Sequence, residues 1–240
     1  MKAMILAAGM GTRLHPVTLT KPKALAEVNG TPLLEMVVKR LMTYGFTDIV
    51  INVHHFADQI ITFLKSNNNF GAHIEISDES DLLLDTGGAL LKARHLLDDG
   101  EPFLVHNVDV ITDFNLTDFY NFHLNHHPVA TMAVKNRETS RSLLINSDHE
   151  LAGWKNNLTG ETIISHGNEA ELVPTAFSCV HVMSPSLFPL ITETGVFSIM
   201  KTYLRLAQTH SIMTWNHDYS LWLDVGRIEN LREAENLLRR

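Results

Sequence analysis

The sequence has little cysteine, no excess of positive charge and no long apolar run, and each absence excludes a class of protein. A single cysteine, Cys179, cannot form a disulfide within the chain, which is typical of a reducing compartment. The formal net charge of −8 at pH 7 argues against a nucleic-acid-binding surface, because such surfaces are usually basic. No apolar run is long enough to span a membrane, and the first residues do not resemble a signal peptide. We therefore expect a cytoplasmic protein with neither nucleic-acid nor membrane partners.

The two common phosphate-binding motifs are also absent. A Walker loop requires Gly-x4-Gly-Lys-Ser/Thr, and no such run occurs in the chain. A dinucleotide-binding fingerprint requires Gly-x-Gly-x-x-Gly, but Leu14 stands where the third glycine would be. These differences disfavour a plain dehydrogenase.

A different glycine turn follows the first predicted strand, which covers residues 2–8. The turn reads Gly9-Met-Gly11-Thr-Arg13-Leu, and Lys23 follows shortly after it. Glycines allow backbone N–H groups to come close to phosphate oxygens, since no side chain intervenes. Arg13 and Lys23 can neutralise charge that the backbone only partly offsets. The pattern therefore predicts a site for a triphosphate.

Strand and helix patterns alternate in the first half of the chain. Helices are predicted over residues 33–44, 57–65 and 87–98, and strands over residues 48–53, 73–77 and 102–108. Thr31 is the expected N-cap of the first helix, with Pro32 at its first position and Gly45 at its end. Such alternation predicts an α/β fold with a doubly wound, mostly parallel sheet.

The pattern becomes less regular after residue 110. A helix is predicted over residues 115–125, and strands over residues 129–134, 142–145, 162–165 and 177–183, several of them antiparallel. The sheet should therefore be mixed. Residues 228–238 form an amphipathic pattern that predicts a closing helix.

Two further signals lie at predicted strand and helix ends. Asp109 follows the strand over residues 102–108, so it should face the same crevice as the glycine turn. Mg2+ prefers hard oxygen ligands, and one or two aspartates at strand ends provide them. Gly87 and Gly88 open a predicted helix, where unpaired N–H groups favour an anion or a carbonyl. A simple N-cap formed by Asp85 or Thr86 is the alternative for this turn.

The glycine turn, together with Pro16 and Pro22-Lys23, resembles the signature of sugar-1-phosphate nucleotidyltransferases, Gly-x-Gly-Thr-Arg-Leu…Pro-Lys-Pro. The late run Trp222-Leu-Asp-Val-Gly226 resembles the Trp-x-Asp-x-Gly motif of the same family, so the resemblance spans nearly the whole chain. Two positions depart from the family pattern. Ala24 stands where the second proline is usual, and Val108 stands where a glycine usually precedes the aspartate.

The resemblance implies a Rossmann-like nucleotidyltransferase fold and the reaction of a nucleoside triphosphate with a sugar-1-phosphate, giving a nucleoside-diphosphate sugar and pyrophosphate. It implies Arg13 and Lys23 as catalytic residues, and Mg2+ held by Asp109 and Asp224. The alternative for Asp224 is that it only caps a turn before the last helix. The implied nucleotide-binding residues are Leu6, Ala8, Gly9, Gly11, Thr12, Arg13, Lys23 and Gly88.

The same resemblance divides residues 1–240, taken as one domain, into a nucleotide-binding half (about 1–110), a sugar-binding half (about 111–227) and the closing helix. Asn107 would contact the sugar. Lys155 stands where relatives carry the lysine of Glu-Lys-Pro, which holds the sugar phosphate. The further candidates for the sugar pocket are Arg141, Phe177 and Ser178.

Within the family, the compact chain is most similar to bacterial N-acetylmuramate-1-phosphate uridylyltransferases, which act in cell-wall recycling. UTP is therefore the favoured donor. The resemblance implies that the turn at Gly87 and Gly88 holds the nucleobase, and this turn does not distinguish UTP from dTTP, GTP or CTP, which stay as alternatives. A catalytically silent, nucleotide-sensing regulatory subunit is the alternative from another class. We expect a monomer or a small homo-oligomer.

Overall fold

The computed structural model describes residues 1–238, in which fourteen strands and seven α-helices follow one another along the chain. The first half contains β1 (Lys2–Leu6), β2 (Glu27–Val28), β3 (Thr31–Pro32), α1 (Leu33–Thr43), β4 (Asp48–Val53), α2 (Ala57–Ser66), β5 (His73–Asp78), α3 (Asp85–Lys92), α4 (Arg94–Leu97) and β6 (Phe103–Asn107). The second half contains β7 (Val110–Thr112), α5 (Leu116–His126), β8 (Ala130–Lys135), β9 (Arg141–Ile145), β10 (Leu151–Asn156), β11 (Thr162–Ile164), β12 (Val173–Met183), α6 (Ile199–Leu206), β13 (Ile212–Asn216), β14 (Trp222–Asp224) and α7 (Ile228–Leu237).

A ten-stranded mixed sheet forms the centre of the molecule. Eight of its strands follow the order β11-β10-β9-β12-β6-β1-β4-β5, and β8 and β13 extend the sheet from β12. Strands β6, β1, β4 and β5 are parallel, whereas β12 is antiparallel to β6, β8 and β9. Strand β13 joins the sheet beside β8, and β14 pairs separately with β7. The predicted α/β fold with a parallel first half and a mixed second half is confirmed.

Helices pack against both faces of the parallel strands, which is what makes the sheet doubly wound. Ala3 and Ile5 of β1 lie in one apolar cluster with residues of α1, α2, α5 and α7. Met4, which points to the other face, lies in a second cluster with residues of α3, α4 and α6. Successive side chains of a strand alternate between faces, so the continuous apolar run of β1 fills both clusters.

The ends of the first helices differ in part from the sequence prediction. The expected Thr31 cap is wrong, because Thr31 and Pro32 form β3 and pair with β2, and no side chain caps α1. Gly45 does end this region as predicted, with φ of +81° and its N–H donated to the carbonyl of Met42. The helix predicted over residues 87–98 is divided into α3 and α4.

Strand β12 is longer than predicted and changes partners along its length. Residues 173–175 pair with β9, whereas residues 180–183 pair with β6. The register with β8 shifts between Phe177 and His181, and Cys179 between them has φ of +58°. This irregularity lies where the strand passes from the second half of the sheet to the first.

Among the described helices, none combines the length and the apolar composition needed to cross a membrane.

Candidate active site

The carboxyl ends of β1, β4 and β6 open onto a cavity of about 470 Å³. This is the edge at which open α/β sheets bind ligands. The residues that line the cavity are Leu6, Ala8, Gly9, Arg13, Lys23, Asn52, Glu79, Leu83, Asp85, Thr86, Asn107, Val108, Asp109 and Val196.

The two glycines of the first turn have different structural roles. Gly11 has φ of +66°, and a Cβ there would lie 2.8 Å from Cγ2 of Thr18, so only glycine fits without strain. A Cβ on Gly9 would meet no atom within 4 Å. Gly9 lines the cavity, whereas Gly11 and the exposed Thr12 are not among the lining residues. Gly11 therefore shapes the turn, and Gly9 keeps the backbone accessible from the cavity.

The carboxylates of Asp109 and Asp224 converge beside Gly226. Strand β14 runs antiparallel to β7, and the N–H of Val225 donates to the carbonyl oxygen of Asp109 at 2.9 Å. The point where a Cβ of Gly226 would stand lies 2.8 Å from Oδ1 of Asp224 and 2.9 Å from Oδ2 of Asp109. Two carboxylates that approach one point this closely can share a cation after small side-chain rotations.

Two cationic side chains reach the same place. The ammonium of Lys23 forms an ion pair with Asp109, and both side chains are nearly buried, at 12% and 11% exposure. One terminal nitrogen of Arg13 lies 3.0 Å from the position of the missing Cβ on Gly226. Two carboxylates and two cations from distant parts of the sequence therefore meet at one end of the cavity.

The donor atoms at this point suit a hard divalent cation. Asp109 and Asp224 offer only carboxylate oxygens, and the missing Cβ of Gly226 leaves a small space between them. Cys179 is near enough for both carboxylates to affect its thiol. Burial raises the pKa of that thiol to about 12, and the negative charges of Asp109 and Asp224 add to the effect. The thiol is therefore protonated at neutral pH and does not behave as a reactive thiolate.

A buried polar network that the sequence reading missed connects three segments of the cavity wall. The N–H of Ala7 donates to Oδ1 of Asn52 at 2.7 Å, and Nδ2 of Asn52 donates to Oε1 of Glu79 at 2.8 Å. Oε2 of Glu79 accepts from the N–H of Leu84 at 3.1 Å. Glu79 is fully buried and Asn52 is 3% exposed. The sequence feature that could have indicated this network is the polar Asn52 within the otherwise apolar part of strand β4.

The first part of the chain matches the family model described as Nucleotidyl transferase, over residues 2–151. A relative from Neisseria meningitidis serogroup B, named N-acetylmuramate alpha-1-phosphate uridylyltransferase, is 34% identical over 237 residues. That alignment covers 99% of this chain and 98% of the relative. The chain belongs to the nucleotidyl transferase family.

This nucleotidyltransferase is also similar to a relative with a different name and to a solved structure. A mannose-1-phosphate guanyltransferase from Candida albicans is 29% identical, and the alignment covers 95% of this chain and 61% of that protein. The structure of HddC from Yersinia pseudotuberculosis, complexed with GMP-PN, superimposes with a TM-score of 0.79 at 21% identity and covers 99% of both chains. The predicted fold and the predicted resemblance to sugar-1-phosphate nucleotidyltransferases are confirmed.

In this nucleotidyltransferase, Gly87 and Gly88 pack against a distant segment. Their N–H groups both donate to the carbonyl of Phe197, at 2.9 and 3.3 Å. A Cβ on Gly87 would lie 2.2 Å from the ring of Phe197, and one on Gly88 would lie 2.4 Å from the carbonyl oxygen of Gly195. Gly88 is buried and does not line the cavity, whereas the preceding Asp85 and Thr86 do. The amide of Gly88 is thus engaged within the protein.

Three of the sugar-pocket candidates, Asn107, Phe177 and Lys155, lie in different strands of the sheet. Asn107 lines the cavity beside Asp109. The half-buried Phe177 lies at the irregularity of β12. Lys155 is opposite Ser142 in the pairing of β10 with β9, so both side chains share one face, and its ammonium lies 3.4 Å from Oε1 of Glu169.

Arg141 and Ser178 do not join these candidates, and the structure gives the reason for each. Arg141 precedes Ser142 in β9 and therefore points to the opposite face, where it lines a separate cavity of about 550 Å³ with Trp154. Ser178 is fully buried, and its hydroxyl forms a 2.7 Å hydrogen bond with Nε2 of His217.

Proposed function

We propose that this nucleotidyltransferase joins UTP to N-acetylmuramate-1-phosphate, giving UDP-N-acetylmuramate and pyrophosphate. The observation that carries the proposal is the convergence of Arg13, Lys23, Asp109 and Asp224 beside Gly226, at the end of a cavity lined by the glycine turn. The choice of UTP and of this sugar is supported by the name of the Neisseria relative, which aligns over almost the full chain.

The proposed chemistry needs no side-chain nucleophile. An oxygen of the sugar phosphate attacks the α-phosphorus of the nucleotide in line, a P–O bond forms there, and the bond to the departing pyrophosphate breaks. A phosphate monoester dianion is already nucleophilic, so catalysis consists of positioning and charge neutralisation. Arg13 neutralises the leaving pyrophosphate, and Lys23 neutralises the α-phosphate and the incoming group.

Asp109 and Asp224 would hold Mg2+ in this proposal, because their carboxylates meet at one point beside Gly226. The bound ion supplies further neutralisation of phosphate charge. The ion pair with Asp109 places the ammonium of Lys23 next to the proposed metal ligands. Lys23 can therefore contact a phosphate there without leaving the cavity.

A second candidate is the same transfer from GTP to mannose-1-phosphate, because a guanyltransferase is also similar over 95% of the chain. A regulatory subunit without activity is the third candidate, and the departures at Val108 and Ala24 motivate it. Val108 lines the cavity, whereas Ala24 is fully buried beside Lys23.

The proposed enzyme belongs to nucleotide-sugar biosynthesis in cell-wall recycling, and we propose the cytoplasm as its location because nucleoside triphosphates are made there.

Pyrophosphate release tests these candidates directly. The full chain is incubated with UTP, dTTP, GTP or CTP and a panel of sugar-1-phosphates, with Mg2+ or with EDTA. We expect release with UTP and N-acetylmuramate-1-phosphate, and loss of release with EDTA. Activity only with GTP and mannose-1-phosphate would replace the proposed substrates, and no release in any combination would favour the regulatory subunit.

A variant pair connects the activity to the site. R13A should lower kcat by about 100-fold or more, because a charge-stabilising group is removed from the leaving pyrophosphate. R94A serves as the matched control, since Arg94 is an exposed arginine of α4 that pairs with Asp98 and does not line the cavity. Equal activity in R13A and R94A would contradict the role of Arg13.

A further inference from the structure

Arg137, which follows β8, is a half-buried cation whose protein contacts are all uncharged. Its NH2 nitrogen donates to the carbonyl of Phe177 at 2.8 Å, and NH1 donates to the carbonyl of Glu138 at 3.3 Å. Nε is buried without a hydrogen-bond acceptor, and no carboxylate within residues 1–238 forms an ion pair with the guanidinium. A guanidinium has five N–H donors, so several are left for another partner.

The position of Arg137 connects it to the catalytic carboxylates. Its guanidinium carbon lies 3.7 Å from the ring centroid of Trp222, whose Nε1 donates to the carbonyl of Ser178 at 2.9 Å. Trp222 and Asp224 are two residues apart in β14, so their side chains share one face of that strand. Arg137 is thus fixed on the side of β14 where Asp224 meets Asp109.

Arg137 also lines a polar cavity of about 470 Å³. Hydroxyl and amide groups from Thr139, Ser142, Asn157 and Thr175 surround it, and the exposed Glu138 is the one acid among the lining residues. Short hydroxyl and amide side chains are suited to hydrogen bonds with sugar hydroxyls. The cavity lies on the face of β9 that carries Ser142 and, across the strand pair, Lys155.

We infer that Arg137 binds a carboxylate on the sugar ring of the acceptor and so selects an acidic sugar-1-phosphate. This inference rests on the proposed function, because N-acetylmuramate differs from N-acetylglucosamine by a lactyl ether that carries a carboxylate. In the proposed function, Arg13 neutralises the leaving pyrophosphate and Lys23 the reacting phosphates, so the guanidinium of Arg137 is available for a second negative group on the sugar. A charge-assisted, bidentate contact is the mode for which arginine is best suited.

Arg40 provides a matched control within the same chain. It is also half-buried, it stacks on Tyr44 at 5.1 Å and donates to a backbone carbonyl, and its Nε has no partner. Arg40 belongs to α1 and lines none of the three cavities described for residues 1–238. Its replacement therefore reproduces the loss of a buried guanidinium without changing the proposed sugar contact.

The test compares kcat/KM for N-acetylmuramate-1-phosphate and for N-acetylglucosamine-1-phosphate, both with UTP, in the wild type, R137M, R137K and R40M. We expect the ratio of the two values to fall roughly 10- to 100-fold in R137M, mainly through KM, because one charge-assisted contact is lost. R137K should retain part of the preference, and R40M should keep the wild-type ratio.

The other outcomes separate the two proposals. An equal loss with both sugars in R137M would show that Arg137 binds the phosphate or only supports the fold, and it would overturn the inference. A wild type that prefers N-acetylmuramate-1-phosphate, with the same preference in R137M, would overturn the inference while the proposed function stands. A wild type without activity toward N-acetylmuramate-1-phosphate would refute the proposed function itself. If R137M does not fold, an unchanged ratio in R137K overturns the inference.

Discussion

Asp109 and Asp224 approach each other beside the α-carbon of Gly226, where a methyl group would touch both carboxylates. The missing Cβ would stand 2.9 Å from the first and 2.8 Å from the second. Gly226 is therefore needed for space rather than for backbone conformation, since its φ does not lie in the left-handed region. The pairing of β14 with β7 delivers both acids to this point, although they are far apart in sequence.

We expect G226A to separate folding from activity. The atoms nearest to the new Cβ would be the side-chain ends of Asp109, Asp224 and Arg13, which can rotate away, so the melting temperature should stay close to that of the wild type. The displaced carboxylates should lower kcat by about 100-fold and raise the Mg2+ concentration needed for half-maximal activity. A Mg2+ titration of activity, together with a thermal melt, measures both. A normal Mg2+ dependence in a folded G226A protein would show that the two acids do not act as a pair.

Alanine at Gly9 and at Gly11 should have opposite effects. G9A places a methyl group in open space near the cavity, so it should leave stability unchanged and raise KM for the nucleotide about 10-fold or more. G11A forces a Cβ into the left-handed region and against Thr18, so it should destabilise the fold by roughly 1–2 kcal/mol. Urea unfolding and nucleotide titration of both variants provide the comparison. Normal nucleotide affinity in G9A would exclude a phosphate on that part of the turn.

The sequence alone predicts those parts of the structure that a local pattern of residues determines. The apolar run of β1, the glycine turn after it and the position of Asp109 after β6 follow from strand periodicity and from the rule on strand ends. Strands β2, β3, β7, β10, β13 and β14 and helix α6 are not predicted from the sequence. Strand β14 has three residues and exists because it pairs with β7, a contact between distant parts of the chain that no local window contains.

Several individual residues also depend on contacts with distant segments of the chain. Thr31 has the chemistry of an N-cap, but pairing with β2 determined its conformation. The amide of Gly88 could face a ligand or a carbonyl, and the carbonyl of Phe197 comes from a distant loop. No sequence pattern marks Arg137 as a candidate binding residue. Its contact with Trp222 and its place in the lining of the polar cavity are visible only in the structure.

Glu79 offers a test of the network behind the cavity wall. Its two carboxylate oxygens each accept an N–H, from Asn52 and from Leu84, and the side chain is fully buried. In E79Q the amide nitrogen would face one of these donors, so we expect a loss of about 1–3 kcal/mol in the free energy of unfolding despite the equal size. KM for the nucleotide should rise as well, because Asn52 also holds the N–H of Ala7. E75Q, a partly exposed glutamate of β5, is the control, and equal stability in both variants would refute the role of the network.

Four buried histidines should make the fold sensitive to mild acid. Burial lowers the pKa of each of them, to about 4 for His106, His123 and His217 and to about 3 for His181. In the unfolded chain a histidine titrates near pH 6.5, so below that pH the unfolded state binds protons that the folded state excludes. Stability should therefore be complete above pH 6.5 and fall as the pH drops toward 4, by about 1.4 kcal/mol per histidine and pH unit.

His123 allows the effect of one site to be measured. Its two ring nitrogens lie 2.9 Å from the hydroxyls of Thr131 and Ser184, and a glutamine can form similar hydrogen bonds. In H123Q the slope of unfolding free energy against pH between 4.5 and 6 should decrease by about 1.4 kcal/mol per pH unit. H95Q removes an exposed histidine and should keep the wild-type slope. Urea unfolding at four or five pH values gives all three slopes, and an unchanged slope in H123Q would mean that His123 is protonated in the folded protein as readily as in the unfolded chain.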